Sequence, residues 1–515
     1  MEIKGLSRKI YLELPQPDEE DNVSGQQRIL RALAQLGIRA RISLRVLRAL
    51  YPLCDRAQWK VTVTLAYDGA GWTVVLIEPG DTSGQHYGLA ADLGSTTVVM
   101  QLVDCNTGEV VAQESSYNGQ IAFGEDILTR IFYSKDKPEQ LENVRCATVA
   151  TFTKIMDALS EKTGIDVRKC GAMVVSGNTT MIHFLLGLDV FCVFSSPYAV
   201  RTDRPGFFRG EELELPVAGC VFCCPGKANY LGGDIISGML ATGMYKKEEI
   251  TVFFDVGTNG ELVVGNRDFL LCGAGAAGPA LEGGSVKTGM RAAEGAVERV
   301  KLENSTFLLE TIGGKAPKGI CGSGIVDMVS ELFLNGWIDL RGKFVPERSE
   351  RIAWVQEAEE YGVTYAPGLV FYQSDIEEFI RTKAAAHTMM EYLLSEAGMT
   401  LDDVSDFYMA GAFGTHIDRE SAVNIGMYPD VERSRIHAAG NSSLEGARLL
   451  LLDRALLDEL DGILDLMSYV QFGAVEDFVH RMVAARALPH TDMERYPTVM
   501  ERLGARGSHR QPESR

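Results

Sequence analysis

Two short stretches of this chain hold residue types suited to gripping a phosphate. In the first, the apolar run Tyr87–Ala91 ends in Asp92-Leu93-Gly94-Ser95-Thr96-Thr97. In the second, Ile250–Phe254 ends in Asp255-Val256-Gly257-Thr258-Asn259-Gly260. Gly94 and Gly257 let the chain pass close to a phosphate with no Cβ in the way. The N–H groups of such turns, with the hydroxyls of Ser95, Thr96, Thr97 and Thr258, can donate to phosphate oxygens, and Asn259 and Gly260 complete the second turn. Asp92 and Asp255 are candidates both for catalysis and for Mg²⁺, which prefers oxygen ligands and keeps several waters. One Asp-Gly turn would be an ordinary hairpin, but two copies heading two similar strand patterns point to a duplicated phosphate site. A third stretch, Met409-Ala410 followed by Gly411-Ala412-Phe413-Gly414, is a strand emptying into small residues. Such a turn can lie flat against an adenosine and donate backbone N–H groups to it.

Other residues have a plainer alternative. Asp234, after Gly232-Gly233, and the pair Glu125-Asp126 place carboxylates beside glycines, where they could position Mg²⁺ or an attacking water. A helix cap is the competing role for each. Asn178-Thr179-Thr180 reads equally as a cap or a ligand contact. His183 and His416 sit beside motif turns, where a lone histidine usually makes a structural hydrogen bond.

The elements that must hold these turns follow from periodicity. Residues 1–22, with Pro15 and Pro17 in a polar stretch, read as a linker. Residues 23–80 read as a small α+β module and a candidate for dimerisation: a helix over 25–36 capped by Ser24, another over 43–51, and a hairpin of 59–66 and 72–78 around Asp68-Gly69. From 87 the pattern is strand, turn, strand, strand, then helices over 122–134 and 141–163 and a buried strand at 172–176. The theme repeats from 251, with three strands at 251–255, 260–265 and 269–272. Glycine-rich loops follow, then a helix opened by 319–324 and running through 335, and helices over 374–397, 441–457 and 472–487. Two halves, about 87–245 and 250–470, are expected, with a helical extension to 505 and a disordered tail over 506–515.

Composition narrows the class. At 515 residues the chain exceeds one core. The formal charge of −20 lacks the basic stripe of a nucleic-acid surface. No apolar run reaches the ~20 residues that span a bilayer, so no membrane is expected, and no signal-peptide pattern opens the chain, so a cytoplasmic protein is expected. Of ten cysteines, most are scattered in apolar surroundings and read as buried free thiols. Cys220, Cys223 and Cys224 form a CxxCC with no second CxxC to close a metal site, and read as a strand.

The three turns, in this order, resemble the actin, hsp70 and sugar-kinase ATPase superfamily. The finer pattern, ADLGSTTVV, YNGQIAFGEDILTRI, VVSGNTTM, FFDVGTNGELV, GPALEGG, GICGSGIVD and YMAGAFGTHID, resembles the ATP-dependent reductive activators of corrinoid enzymes over about 420 residues. The resemblance implies a duplicated actin-like (ribonuclease H-like) α/β ATPase whose turns close on ATP and Mg²⁺. It implies a protein that uses ATP to drive Co(II) to Co(I) in a corrinoid partner, as a homodimer, and it makes His183 and His416 worth watching at a corrinoid face. Many members of that family carry a ferredoxin domain at one end. In this chain the first cysteine is Cys54 and none follows Cys321. No iron–sulfur cluster is therefore expected, and electrons would come from a separate ferredoxin-like or flavodoxin-like donor. The alternatives are a non-redox ATP-gated module that remodels a partner, and a small-molecule kinase of the same superfamily.

Overall fold

The computed structural model describes residues 4–257, 260–275, 284, 286–472, 475 and 478–508. It divides into two compact units: Met1–Ala241 with Ser442–Asp465, and Thr242–Asn441 with Leu466–Arg515.

The first unit begins with a four-stranded sheet of β1 (Ser7–Glu13), β2 (Ala40–Ile42), β3 (Lys60–Tyr67) and β4 (Trp72–Pro79), in the order β1-β3-β4-β2. Helices α1 (Gly25–Gln35) and α2 (Leu44–Arg56) share its core, where Ile29, Leu33, Leu50, Trp59 and Val63 are buried. Ser24 caps α1 as expected, accepting from the Gln27 N–H. The stretch 1–22, read as a linker, contains β1, which pairs antiparallel with β3 along its whole length. Leu6, Leu12 and Leu14 are buried, and their apolar pull outweighs the polar stretch around the prolines, which starts only at Pro15.

The main sheet of this unit comprises β5 (Tyr87–Leu93), β6 (Thr97–Asp104), β7 (Val110–Tyr117), β8 (Ala172–Gly177), β9 (Gly206–Arg209) and β10 (Cys220–Cys223). Its order is β7-β6-β5-β8-β10-β9, with β5, β8 and β10 parallel and the other pairs antiparallel. Helices α3 (Ile127–Ser134), α4 (Pro138–Thr163), α5 (Thr179–Leu186), α6 (Phe191–Phe194) and α7 (Gly233–Thr242) connect these strands and lead out. The helix expected over 122–134 is shorter: Gly124, at φ 154°, breaks it from the preceding turn.

The second unit repeats that topology. Strands β11 (Ile250–Val256), β12 (Gly260–Gly265) and β13 (Leu270–Gly275) form an antiparallel trio. Two small three-stranded sheets follow, β14 (Ala296–Glu303), β15 (Thr306–Thr311) and β16 (Gly319–Ile320), then β17 (Ile352–Val355), β18 (Glu360–Ala366) and β19 (Leu369–Tyr372). Between and after them run α8 (Gly322–Leu334) and α9 (Gln373–Glu396). Strand β20 (Val404–Ala410) then lies parallel to β11, leads into α10 (Gly411–His416) and α11 (Arg419–Asn424), and is flanked by parallel β21 (Ile436–Gly440). Numbered from its own first strand, each main sheet therefore contains the run 3-2-1-4, which is the duplication the turns announced.

The chain then re-enters the first unit as α12 (Ser442–Leu452) and α13 (Leu456–Leu466). This corrects both the single helix expected over 441–457 and the assignment of that stretch to the second half. The cause is close packing: a Cβ at Gly446 would lie 2.1 Å from the Ser237 carbonyl oxygen. Strand β22 (Met467–Tyr469) joins β13, and α14 (Phe478–Ala484) and α15 (Pro497–Ser508) finish the second unit. The helix expected to start at 472 begins at Phe478 among the described residues. The expected tail is helical to Ser508, and 509–515 lie outside the described residues. Among the described residues no helix is long and apolar enough to cross a membrane.

Candidate active site

Strand β5 is buried along its length except at Tyr87 and Asp92, so Asp92 is the polar residue delivered at its end, half-buried. The turn beyond it is held by its carbonyls. The Asn118 side chain donates to the Gly94 oxygen at 2.9 Å, Arg130 donates to the Ser95 oxygen at 2.6 Å, and the Asn118 N–H donates to the Thr96 oxygen at 2.9 Å. Among the described residues, nothing accepts from the N–H groups of Ser95 and Thr96, and nothing partners the hydroxyls of Ser95, Thr96 and Thr97. A turn with its carbonyls pinned and its donors open is a concavity suited to an anion. Gly94 is needed for the turn itself, since a Cβ there would meet the Thr97 oxygen at 2.4 Å.

Asp92 is joined to three serines that the motif reading passed over. Its Oδ1 lies 2.8 Å from Ser443 Oγ on α12, which lies 2.9 Å from Ser176 Oγ, and Ser176 Oγ lies 2.7 Å from Ser237 Oγ on α7. All three serines are buried. Ser176 could have been found from register, because it is the direct parallel neighbour of Asp92. Ser443 could not, since only the return of α12 brings it in. Asp234 is the second residue of α7, with its Oδ1 accepting from the Ile235 N–H at 2.9 Å.

In the second unit, register places Asp255 opposite Glu261 on β12 and beside Ala410 on β20. Glu261, which the sequence reading did not single out, adds a second carboxylate to that strand pair. Gly257 is described and Gly260 opens β12, while Thr258 and Asn259 lie outside the described residues. Strand β20 ends at Ala410, and the expected flat turn is instead the opening of α10, entered through Gly411 at φ 81°. A Cβ at Gly414 would come within 2.0 Å of the Met409 oxygen, so the helix sits tightly on its own strand. Ala412 and Phe413 lie on α10, and their side chains are outside the described set.

Several candidates take their plain role. Asp126 caps α3, accepting from the Thr129 N–H and hydroxyl at 2.8 Å each, which lowers its carboxyl. Asn178 caps α5. His183 is buried, with Nδ1 2.7 Å from the Thr179 oxygen and Nε2 accepting from the Arg201 and Thr202 N–H groups. His416 is exposed at the end of α10. The Cys220, Cys223 and Cys224 thiols are buried and free, and burial pushes Cys220 up to about 11 and Cys223 up to about 12.

Among the described residues, one triplet lies at metal-ligand spacing: His387 and Glu391 on α9, and His490. Its chemistry does not fit an ion. The Asp492 N–H donates to His490 Nδ1 at 3.0 Å, which puts the imidazole proton on Nε2 and leaves no lone pair there for a metal. The Lys383 ammonium and Arg495, which pairs with Glu391, add positive charge around the same point.

Fold and turns together define an actin-like ATPase of the ASKHA type. Residues 249–500 match the model described as the C-terminal domain of RACo, the ASKHA domain. Residues 87–247 match the RACo middle region and 1–84 the RACo linker region, so the segment 23–80 read as a middle domain falls in the linker match. A Eubacterium limosum protein named corrinoid activation enzyme RamQ is 32% identical over 409 residues, covering 76% of this chain and 69% of that protein. A Methanosarcina barkeri protein named [Co(II) methylated amine-specific corrinoid protein] reductase is 24% identical over 411 residues, covering 73% and 71%. The solved structure of a reductive activator for corrinoid, iron-sulfur protein matches with a TM-score of 0.88 at 34% identity, covering 97% of this chain and 81% of that one. The chain belongs to the RACo family of corrinoid reductive activators.

Proposed function

We propose that this protein uses ATP to drive reduction of a corrinoid protein from Co(II) to Co(I), in a methyltransferase or demethylase system, with electrons from a separate low-potential donor of the ferredoxin or flavodoxin kind. The observation that carries the reading is the first turn, with pinned carbonyls and open donors beside Asp92, in a chain whose relatives are named as activators and reductases of corrinoid proteins. In this reading Ser95, Thr96, Thr97, Gly257 and Thr258 donate to phosphate, Asp92 and Asp255 hold Mg²⁺ through water, and Gly411, Ala412 and Gly414 serve the adenosine. Mg²⁺ would neutralise charge on the phosphates. Asp234, on the first turn of α7, is the further candidate acid. A one-electron couple moves 59 mV per tenfold, so ~7 kcal/mol of coupling corresponds to ~300 mV, the order that ATP hydrolysis supplies. The homodimer is proposed to form through the small module of residues 23–80, and the protein to work in the cytoplasm.

The test mixes the protein, ATP, a Co(II) corrinoid protein and a low-potential donor, and follows the cobalt spectrum. A Co(I) signal that needs ATP supports the reading. Intact ATP turnover with no Co(I) from any donor would sink it and favour a non-redox module. An Asp255→Ala variant should lose ATP turnover while remaining folded, and wild-type turnover would remove its phosphate role.

A further inference from the structure

The small module at the front of the first unit carries a face that the nucleotide reading leaves unused. Between Gly37 and Cys54 the chain holds Arg39, Arg41, Arg45 and Arg48 and no carboxylate. All four are exposed, along the edge strand β2 and on the first turns of α2. Arg41 pairs with Asp68 at 2.6 Å, while Arg39, Arg45 and Arg48 have no carboxylate partner among the described residues. Arg45 stands in the first turn of α2, a turn with no acidic residue, where the helix dipole disfavours a cation. Beside it run Leu44, Leu47 and Tyr51, a stripe three and four positions apart that is 60%, 37% and 56% exposed. Helix α2 turns Val46, Leu50 and Cys54 to the core, so the stripe is no part of that packing. A helix that sets a cation at its positive end and leucines in water, both on its outer side, breaks two local rules where function is expected.

The charge selects the partner. The whole chain stands at −20, so a positive face is a local exception that draws an acidic protein to one place and orients it there. A second copy does not suit it, because a twofold contact would set these arginines against their own counterparts. The homodimer proposed for this module therefore uses another of its faces. An anionic membrane does not suit it either. Residues 17–26 form a groove with Leu47 and Tyr51, and that stretch brings the exposed Glu19 and Glu20 alongside. A flat anionic surface would press on those carboxylates, whereas a protein can be shaped around them. The apolar stripe shows roughly 300 Å², enough for the centre of a small, short-lived contact of the kind redox partners make and too little for a permanent one. A low-potential carrier fits on both counts, since a cluster held by four thiolates or a reduced flavin with its phosphate is an anionic centre that must come and go. We infer that β2 and the first turns of α2 dock the reduced electron donor, with Arg39, Arg45 and Arg48 steering it and Leu44, Leu47 and Tyr51 at the centre of the contact. The donor loses one electron for each Co(II) that becomes Co(I). This rests on the reading that the donor is a separate protein.

The test is calorimetric binding of the whole protein to two purified acidic carriers, a 2Fe–2S ferredoxin and a flavodoxin, with a variant carrying Arg45→Glu and Arg48→Glu. Both positions are exposed, and a glutamate in the first turn suits the helix dipole, so the variant should keep its fold. The wild type should bind at least one carrier at low salt and about tenfold more weakly at about 0.2 M salt, and the variant should lose about tenfold or more. If the double variant fails to fold, Arg39→Gln should weaken the same binding by about threefold. Failure of both carriers to bind the wild type, or equal binding to wild type and variant, overturns the inference. So does a dimer that falls apart in the variant, or a face that holds phosphatidylserine vesicles or duplex DNA in place of either carrier. Activity separates this from the reading beneath it. With Ti(III) citrate, a small reductant that needs no docking face, wild type and variant should form Co(I) equally in the presence of ATP. A variant that loses as much rate with Ti(III) citrate as with its carrier overturns the inference. No Co(I) from the wild type with Ti(III) citrate defeats the activator reading itself, while full Co(I) beside no carrier binding defeats only the docking face.

Discussion

Arg130 is wholly buried, and its guanidinium donates to the carbonyl oxygens of Gly124, Ser95 and Glu125. A buried cation is tolerable only when its donors are matched in this way, and three oxygens spread around a planar fork match Arg and not Lys. We expect Arg130→Lys to leave one or more of those carbonyls unpaired, destabilise the fold by about 1–3 kcal/mol, and raise the KM for ATP because the first turn loosens. Thermal melts with ATP kinetics check both, and an unchanged KM would show that the turn holds its shape without the guanidinium. The residue-level legibility of the site divides at this point. Asp92, Gly94, Asp255 and Gly257 were readable because turn chemistry is local: the residue types and their spacing suffice. Arg130, Asn118, Ser176 and Ser443 act through contacts 22 to 351 positions away in sequence, which no spacing rule exposes. Arg130 lay inside a quoted motif, yet nothing local marked it as the support of a turn so distant.

At the scale of elements, α9 shows how burial couples to pH. Lys383, His387 and Glu391 recur every fourth residue along its inward face. The Lys383 ammonium donates to the carbonyls of Ala485, Ala487 and Pro489 and so ties down the segment before α15. Burial holds His387 below its ordinary value and His490 down to about 4, while His387 and Arg495 beside Glu391 hold its carboxyl down to about 2 against the pull of burial. Both histidines are thus neutral in the fold. Below pH 6.5 the unfolded chain takes up protons that the folded chain refuses, so stability falls as pH drops from 6.5 toward about 4. His490 alone should contribute about 2 kcal/mol of that loss, allowing for partial contact with solvent. Urea unfolding at pH 7.5 and 5.0 should show the drop, and His490→Gln should reduce it. The long helices α8 and α9 were legible from their periodicity, which is a property of one segment. Strand β1 was not, because a strand with one buried edge and prolines just beyond looks like linker until its partner β3 is known. The α12–α13 break was missed for a similar reason. Gly446 lies inside a helical pattern, and only its approach to Ser237 shows what the glycine is for. Gly446→Val should cost about 1–3 kcal/mol by driving α12 off α7, which thermal melts would read. A Gly446→Val protein as stable as the wild type would show that the helix pair can relax.

At the scale of the molecule, the chain does not complete its first unit before starting its second. Residues 1–241 supply every strand of the first main sheet, but α12 and most of α13 arrive only with 442–465, after the second unit's main strands have been made. Helix α12 covers β5 and β8, where Leu444, Ala447, Leu450 and Leu451 are buried. Leaving those side chains off would expose an apolar sheet face and strand Ser176 without its partner, and each fully buried leucine is worth about 1.5–3 kcal/mol. That exceeds what a marginally stable fold can lose. A chain ending at 441 should therefore fail to fold its first unit even though no strand of that unit's main sheet is missing. A single chain that joins 1–241 to 442–465 through a short flexible linker should recover it. Circular dichroism melts of the two chains decide the point. Cooperative unfolding in the 441-residue chain at the wild-type temperature would mean that the first unit stands without α12, and that the return of the chain serves Asp92 alone.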